Sequence, residues 1–332
     1  MVDFTVLVLP GAYATSVAVT LDVLRAASQV APRVKSARPT WRVLSPAGGG
    51  TMLSSGMQVE TVAMPAMRAI QKKSRSDFST WMVPGLGLET PEAISARLSS
   101  ADTRDAIRAL AAHASRGGHV AASCSAVFLL QAAGLLARRR VTTTWWLASE
   151  LQKREPSCIV DADRMVCADG PVSTAGAAFA QTDLMLHVLR EKFGVALADA
   201  VARVLLIDAR HAQSNFVVPT MLSNGNELVA RLVARIETAL PNPPRVETLA
   251  AELAMSPRTL ARQVRQATGR SPMALIQTVR LNRARMLIES SRLSVESVAE
   301  QVGYADATAL RRMMRRMSGS SPSRYRAAVV RR

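Results

Sequence analysis

Short apolar runs alternate with longer amphipathic stretches over about the first 210 residues. Such runs are typical of buried strands, and the stretches have their apolar positions on one helical face. The predicted strands are Phe4–Leu9, Thr40–Ser45, Ser79–Val83 and His119–Ala122. The predicted helices are Thr15–Gln29, Thr103–Ser115, Ser125–Leu136 and Ala177–Lys192. This alternation predicts an α/β domain over residues 1–210, with helices flanking a mostly parallel sheet.

The C-terminal part of the chain has a purely helical pattern that occurs twice, fifty positions apart. The matching segments are Leu260–Arg265 with Leu310–Arg315, Gly269 with Gly319, and Ser271-Pro272 with Ser321-Pro322. A repeat at fixed offset, with its turn residues in register, indicates one supersecondary unit used twice. Each copy predicts a helix-turn-helix.

Capping residues predict where these helices begin and end. Ser256 and Asp306 are expected N-caps, and Gly269 is an expected left-handed C-terminal cap. A helix from Met273 to about Ser290 is expected to hold the two copies rigidly apart. The second helices of the two units are predicted at Pro257–Ala267 and Ala307–Ser318.

Charge indicates what the repeat binds. The chain has 42 Lys and Arg against 25 Asp and Glu, a net charge of +17. Residues 245–332 contain 17 arginines, no lysine and six acids, a net charge of +11. This concentration favours a surface that binds nucleic-acid phosphates, and Arg also matches guanine edges bidentately. The alternative, a solvated arginine-rich tail, does not account for the doubled and capped motif.

Two stretches of the repeat, Ser294–Tyr304 and Gly319–Arg326, closely match a known pattern. They resemble the DNA-binding domain of AraC/XylS transcriptional regulators. That family usually has aromatic residues where this chain has Leu310 and Met314, and both replacements keep an apolar face. The resemblance implies an all-α, tandem helix-turn-helix domain over residues 245–330 that binds double-stranded DNA.

A helix-turn-helix domain places the start of its second helix against the base edges of DNA. The outward positions of the two second helices are therefore divided into expected base contacts and expected phosphate contacts. Positions near the helix starts are expected to read bases: Arg258, Thr259, Arg262, Thr308, Arg311 and Arg312. Positions further along are expected to meet phosphates: Arg265, Arg315 and Arg316. Arg262 and Arg312 are equivalent in the repeat, and an arginine at such a position often braces the fold instead.

One turn in the N-terminal domain carries candidate chemistry. His119–Val127 predicts a strand, a tight turn at Cys124 and a helix, which is the layout of a nucleophile elbow. A helix N-terminus is expected to lower the pKa of the thiol, and the free N–H groups of Ser125 and Ala126 suit an anion. The alternative is a small buried cysteine in a packed, ligand-free corner.

The stretch Ala133–Trp145, and Ser173–Gly176 followed by Asp183, carry a second resemblance. They are similar to PfpI-like domains, relatives of class I glutamine amidotransferases. Such a domain precedes the DNA-binding domain in the GlxA type of AraC regulator, so the resemblance covers nearly the whole chain. It implies a flavodoxin-like, PfpI-like sheet in the N-terminal domain.

The chain differs from its enzymatic relatives at the positions where those enzymes have catalytic groups beside the cysteine. A histidine commonly precedes the tryptophan that is Trp145 here, but this chain has Thr144. A carboxylate often faces the cysteine, and the best match here is Ser16. A thiol nucleophile needs a positioned base, and His119 lies roughly 16 Å along the strand from Cys124 at about 3.3 Å per residue. The domain is therefore expected to bind a ligand without catalysis, through Cys124, Ser125, Ala126, Thr143, Thr144 and Ser16.

These features predict a sequence-specific transcriptional regulator. The expected partners are a DNA operator, a small effector, a second copy of the chain and, for an activator, RNA polymerase. The resemblance to regulators that respond to amino acids or quaternary amines implies an effector of one of these classes. The alternatives are a cysteine-dependent hydrolase or hydratase of small carbon–nitrogen compounds fused to a DNA-binding module, and an architectural DNA-binding protein.

The remaining expectations concern cofactors, compartment and linker. The three cysteines and four histidines lack metal-ligand spacing, so no cofactor is expected. A cytoplasmic location is expected, since no signal peptide is visible and the apolar stretch Ser125–Ala137 is too short to span a membrane. Residues 211–244 predict a helical segment followed by a stiff extended linker, Leu240–Pro244.

Overall fold

The computed structural model describes residues 2–65, 77–207 and 226–318. These residues belong to two compact units, one within Met1–Arg210 and one within His211–Arg332. The end of the second repeat copy, including Gly319–Arg326, lies outside the described residues, as does the first part of the predicted helical segment, residues 211–225.

The N-terminal unit is built on an eight-stranded sheet. The strands of the unit are β1 (Phe4–Leu7), β2 (Trp41–Ser45), β3 (Gly49–Met52), β4 (Gln58–Ala63), β5 (Thr80–Val83), β6 (Val120–Ser123), β7 (Arg140–Val141), β8 (Ile159–Val160), β9 (Val166–Asp169) and β10 (Val172–Ala175). The sheet order is β3-β4-β2-β1-β5-β6-β10-β9, and β7 pairs separately with β8. Only the β3–β4 and β9–β10 pairs among these are antiparallel. The predicted mostly parallel sheet is confirmed.

Helices of the N-terminal unit form two packed groups that flank the sheet. They are α1 (Ala14–Val30), α2 (Pro91–Leu98), α3 (Ala101–Ala114), α4 (Val127–Ala132), α5 (Ala148–Arg154), α6 (Ala180–Phe193) and α7 (Val195–Val204). Helices α1, α6 and α7 pack together, and so do α2, α3, α4 and α5. The helix predicted over Ser125–Leu136 spans only Val127–Ala132: a 3-10 turn, Cys124–Ala126, precedes it, and the chain leaves the helix before Gly134, which has φ 72°.

The central strands β1, β5 and β6 are buried along their whole length. Helices on both faces of a parallel sheet exclude water from both sides, which is why these strands are continuous runs of small and apolar residues. Because β1, β5, β6 and β10 are neighbours and parallel, the loops after their carboxyl ends meet at one edge. That edge carries Cys124.

The C-terminal unit is helical. Its helices are α8 (Glu227–Thr238), α9 (Val246–Glu252), α10 (Pro257–Thr268), α11 (Pro272–Ser290), α12 (Val295–Gln301) and α13 (Ala307–Ser318). The pairs α9–α10 and α12–α13 each pack together, and α11 connects them. This confirms the two helix-turn-helix units and the helix between them. Within the described residues, no helix is both long and apolar enough to cross a membrane.

The predicted extended linker over Leu240–Pro244 is wrong. Residues after α8 form a turn in which the Asn242 N–H donates to the Ala239 carbonyl (2.8 Å). Helix α8 packs against α10 and α11, and Arg235 forms two hydrogen bonds with Glu252 of α9 (2.8 and 2.9 Å). The buried apolar stripe of α8 requires a partner surface, which the first helix-turn-helix unit and α11 supply.

The buried histidine of α3 makes the stability of the N-terminal unit depend on pH. His113 stacks on Trp81 of β5 with ring centroids 4.9 Å apart, and its buried Nε2 has no hydrogen-bond partner among the described residues. Burial lowers the pKa of His113 below the usual 6.5, although the Asp77 carboxylate opposes this. The imidazole is therefore held neutral in the fold.

We expect the free energy of unfolding to fall as the pH drops below about 6.5, because the unfolded chain then binds a proton that the folded chain resists. The loss continues until the pH reaches the lower pKa of the folded state. His113→Phe should remove this component in urea titrations between pH 7.5 and 5.5. His119→Phe, at an exposed position, is the control, and an equal change in both variants would contradict the assignment.

Candidate nucleic-acid interface and the Cys124 corner

Helix α10 has the capping chemistry that its sequence predicted. The Ser256 hydroxyl accepts from the Thr259 N–H (3.1 Å), and Gly269 ends the helix at φ 71°. Leu260 and Val264 point into the core. The opposite face carries the exposed side chains of Arg258, Arg262 and Arg265.

Helix α13 repeats this arrangement in the second unit. Asp306 caps it by accepting from the Ala309 N–H (2.7 Å), and Leu310 and Met314 are buried. The AraC/XylS family usually has aromatic residues at these two positions, and the leucine and methionine here keep both positions apolar and buried. The exposed side chains are those of Thr308, Arg312, Arg315 and Arg316.

The predicted contact residues differ in whether they already have a partner. Arg311 pairs with Glu296 of α12 (3.1 Å), and the Thr259 hydroxyl lies 2.9 Å from that of Ser256. Among the predicted contact residues, six exposed arginine side chains form no ion pair or hydrogen bond within residues 226–318: Arg258, Arg262, Arg265, Arg312, Arg315 and Arg316. Unpaired guanidinium groups are available to phosphates and base edges.

In the N-terminal unit, Cys124 lies directly after β6 and has φ 56°. This left-handed conformation is uncommon for a residue with a side chain and is costly by about 1–2 kcal/mol. The Cys124 N–H donates to the Gly176 carbonyl (2.7 Å), in the loop after β10. The elbow geometry predicted from the sequence is present.

Small residues from several elements surround Cys124, and together with it they form what we call the Cys124 corner: Ser16, Gly85, Cys124, Ser125 and Thr143. A Cβ added at Gly85 would lie 2.9 Å from the Cys124 Cβ and 3.2 Å from the Ser16 Oγ, so Ser16 and Cys124 both approach that glycine. The Thr143 hydroxyl donates to the Cys124 carbonyl (2.8 Å).

The predicted lowering of the thiol pKa is wrong. Burial raises the pKa of Cys124, and this outweighs the backbone N–H groups of Ser125 and Gly87, which lower it. The Glu89 carboxylate adds to the increase. Helix α4 spans only six residues, so its dipole is too small to offset the loss of hydration. The thiol is therefore protonated at neutral pH.

Among the described residues, no carboxylate or imidazole lies within hydrogen-bond distance of the Cys124 sulfur. The polar side-chain group beside the Cys124 sulfur is the Ser125 hydroxyl, at 3.8 Å. His113 stacks on Trp81, while His187 lies in α6. Thr144 is buried, and its hydroxyl has no hydrogen-bond partner among the described residues. In the described parts of the chain there is also no cluster of potential metal ligands.

Two parts of this environment are not among the residues predicted from the sequence. Gly85 and Gly87, in the loop after β5, closely approach Cys124 and Tyr13 respectively. A buried chain of hydrogen bonds runs from Gln181 to the Thr20 hydroxyl (2.7 Å) and from there to the Ser16 carbonyl (2.7 Å). The loop has a local signal in the sequence, because a predicted strand is directly followed by Pro84-Gly85-Leu86-Gly87.

Comparison with known proteins agrees with this geometry. Residues 4–191 match the DJ-1/PfpI family and residues 249–328 match a helix-turn-helix domain. The transcriptional regulator GlxA of Rhizobium meliloti is 26% identical over 309 residues, which are 91% of this chain and 89% of that protein.

Two further proteins have more limited similarity. The regulator GbdR of Pseudomonas aeruginosa is 26% identical over 223 residues, or 66% of this chain, and the match spans 60% of that protein. A crystal structure of an AraC family transcriptional regulator from Pseudomonas putida matches this chain with a TM-score of 0.50 and 20% identity. The matched region is 62% of this chain and 100% of the chain in that crystal structure. This last similarity shows the fold alone.

The chain therefore belongs to the DJ-1/PfpI family and has the arrangement of the GlxA-type AraC regulators, in which a helix-turn-helix domain follows. Its domain content, a DJ-1/PfpI domain followed by a helix-turn-helix domain, is that of a DNA-binding transcriptional regulator. The named relatives are transcriptional regulators.

Proposed function

We propose that the protein is a sequence-specific transcriptional regulator that binds double-stranded DNA through α10 and α13. The observation that carries this proposal is the set of six exposed, unpaired arginines on two capped helices of a tandem repeat. Phosphates supply most of the affinity for such a surface, and base edges supply the specificity.

The proposed base readers are the outward residues near the two helix starts: Arg258, Thr259, Arg262, Thr308, Arg311 and Arg312. Arg265, Arg315 and Arg316 are the proposed phosphate contacts. Arg311 would exchange its exposed pair with Glu296 for DNA, and such a surface pair stabilises by at most about 1 kcal/mol.

Each protomer is expected to protect two successive major-groove segments on one face of the duplex. Two recognition helices on one connecting helix imply segments about one turn, roughly 10 bp, apart. DNase footprinting on operator fragments selected from random DNA measures this. Protection of a single short segment for each protomer would contradict the tandem arrangement.

Arg312→Ala is expected to relax specificity at one definable base pair and to cost about 1–3 kcal/mol of binding free energy. Arg316→Ala is the matched control, because it removes the same charge from the same helix at a proposed phosphate contact. It should weaken binding to all sequences and flatten the salt dependence. Equal behaviour of both variants across a base-substituted operator library would refute the assignment.

For the N-terminal unit we propose a sensor that binds a small molecule without converting it. The protonated, buried thiol supports this, as does the lack of a hydrogen-bonded base at its sulfur among the described residues. The proposed ligand groups are Cys124, Ser125, Ala126, Thr143, Thr144 and Ser16, and the proposed effector is an amino acid or a quaternary amine. We further propose that the protein is a cytoplasmic homodimer, which acts with RNA polymerase if it is an activator of transcription.

A cysteine-dependent hydrolase or hydratase is the competing function, and the left-handed elbow at Cys124 favours it. Incubation of the pure protein with small amides and isonitriles distinguishes the two. We expect neither ammonia nor formamide to form. Formation of either product, lost in Cys124→Ala, would establish the enzyme.

A further inference from the structure

Three parts of the C-terminal unit meet at the turn of the second helix-turn-helix. We call this place the Gly303 corner; it consists of Pro241, Gln277, Arg280, Gly303 and Tyr304. Pro241 belongs to the turn after α8, Gln277 and Arg280 belong to α11, and the other two follow α12. A Cβ added at Gly303 would lie 1.8 Å from the Pro241 carbonyl oxygen.

Arg280 holds this turn from the side of α11. Its Nε donates to the Val302 carbonyl (2.8 Å), and its Nη2 donates to the Gly303 carbonyl. The guanidinium also lies over the Tyr304 ring, 3.9 Å from the centroid. Tyr304 in turn donates its hydroxyl proton to Gln277 (2.7 Å). The carbonyls left open at the end of α12 are thus bound by the connecting helix.

The first helix-turn-helix shows that the turn itself does not require glycine. Ala254 has the left-handed conformation there, with φ 53°, and Gly303 has it in the second unit, with φ 77°. The glycine is therefore needed because the Pro241 carbonyl occupies the space of a side chain. The second unit is fixed by two elements from outside itself, α11 and the turn after α8.

We propose that Arg280 is a positioning residue that fixes α13 relative to α10, and that it thereby sets the spacing between DNA segments that the protein accepts. This rests on the proposed function, DNA binding by both units. A planar guanidinium binds two carbonyls and stacks on a ring at the same time, which a lysine ammonium does not do. A loosened corner leaves each recognition helix intact but lets the second unit rotate about α11.

The experiment uses the full chain and two operators, one with the natural spacing between its segments and one with a single inserted base pair. The measured quantity is the ratio of the two affinities. We expect the unmodified chain to prefer the natural spacing by about tenfold or more, since one base pair rotates a segment by roughly a tenth of a turn. Arg280→Ala should reduce this ratio to within about threefold, mainly by losing affinity for the natural spacing.

Arg283→Ala is the matched control, because Arg283 is exposed on the same helix and its loss removes the same charge. It should leave the ratio unchanged. Arg280→Lys keeps the charge and should still reduce the ratio, and it keeps the test valid if the alanine variant unfolds. Melting temperatures of all variants identify any loss of folded protein.

An Arg280→Ala variant that weakens binding to both operators equally overturns the inference, since a general loss of stability or charge has that effect. An unmodified chain that binds DNA without any preference for spacing also overturns it, while the proposed function stands. A chain that binds no DNA segment specifically overturns the proposed function itself.

Discussion

Replacing Gly303 by alanine is expected to destabilise the C-terminal unit by about 3 kcal/mol, of which roughly 1–2 come from the left-handed backbone and the rest from the collision of the new Cβ with Pro241. The obstacle is a backbone oxygen at 1.8 Å, which a side-chain rotation does not move. Hydrogen exchange of peptides from α12 and α13 measures the change in the C-terminal unit alone.

Gly269→Ala is the control that separates strain from collision. Gly269 has φ 71°, close to the 77° of Gly303, but nothing lies within 4 Å of the point that a Cβ would occupy there. Its replacement should cost only about 1–2 kcal/mol. Equal costs at the two glycines would mean that the turn after α8 does not contact Gly303 in solution. Pro241 would then not belong to the Gly303 corner.

The second large effect concerns the cysteines. We expect iodoacetamide at pH 8 to alkylate Cys124 in the native chain at least about 100-fold more slowly than in the urea-unfolded chain, because only thiolate reacts and burial raises the pKa of this thiol. Peptide mass spectrometry measures the rate at each cysteine separately.

Cys158 and Cys167 are internal references for this measurement. Burial raises the pKa of each to about 11, which leaves roughly 0.1% thiolate at pH 8. All three cysteines should therefore react together, and only after unfolding. Selective modification of Cys124 in the folded protein would indicate an activated nucleophile and would favour the hydrolase.

Sequence patterns predicted most of the regular structure because the signals are local. The strands β1, β2, β5 and β6 were placed to within two residues, since a buried parallel strand is a continuous apolar run. Helix ends in the C-terminal unit followed from Ser256, Asp306 and Gly269, whose capping groups lie within a few residues of the backbone they satisfy.

Elements with weak local signals were missed. The β3–β4 hairpin has mostly exposed side chains, and β9 is a short edge strand with only one buried residue. Neither has the apolar run or strict alternation that indicates a strand. The position of each of these strands depends on pairing with another strand, which is either distant in the chain or joined to it by a hairpin turn.

The Cys124 corner was predicted in part. Its position after a strand, and its neighbour Thr143, followed from the order of motifs along the chain. The direction of the thiol pKa did not, because the outcome depends on how much water the loops after β5 and β10 exclude. The same holds for Gln181 and Thr20, which lie about 160 positions apart in the chain and meet only in the fold.

Local chemistry was enough to decide the order of the two domains, the helix-turn-helix repeat and the placement of its arginines on outward faces. Tertiary packing alone decided that α8 belongs to the DNA-binding unit, that Arg311 is paired with Glu296 and that position 303 requires glycine. Caps and apolar periodicity act over a few residues of one segment. Burial, ion pairing and steric exclusion depend on groups from separate segments, whose approach no single stretch of the chain encodes.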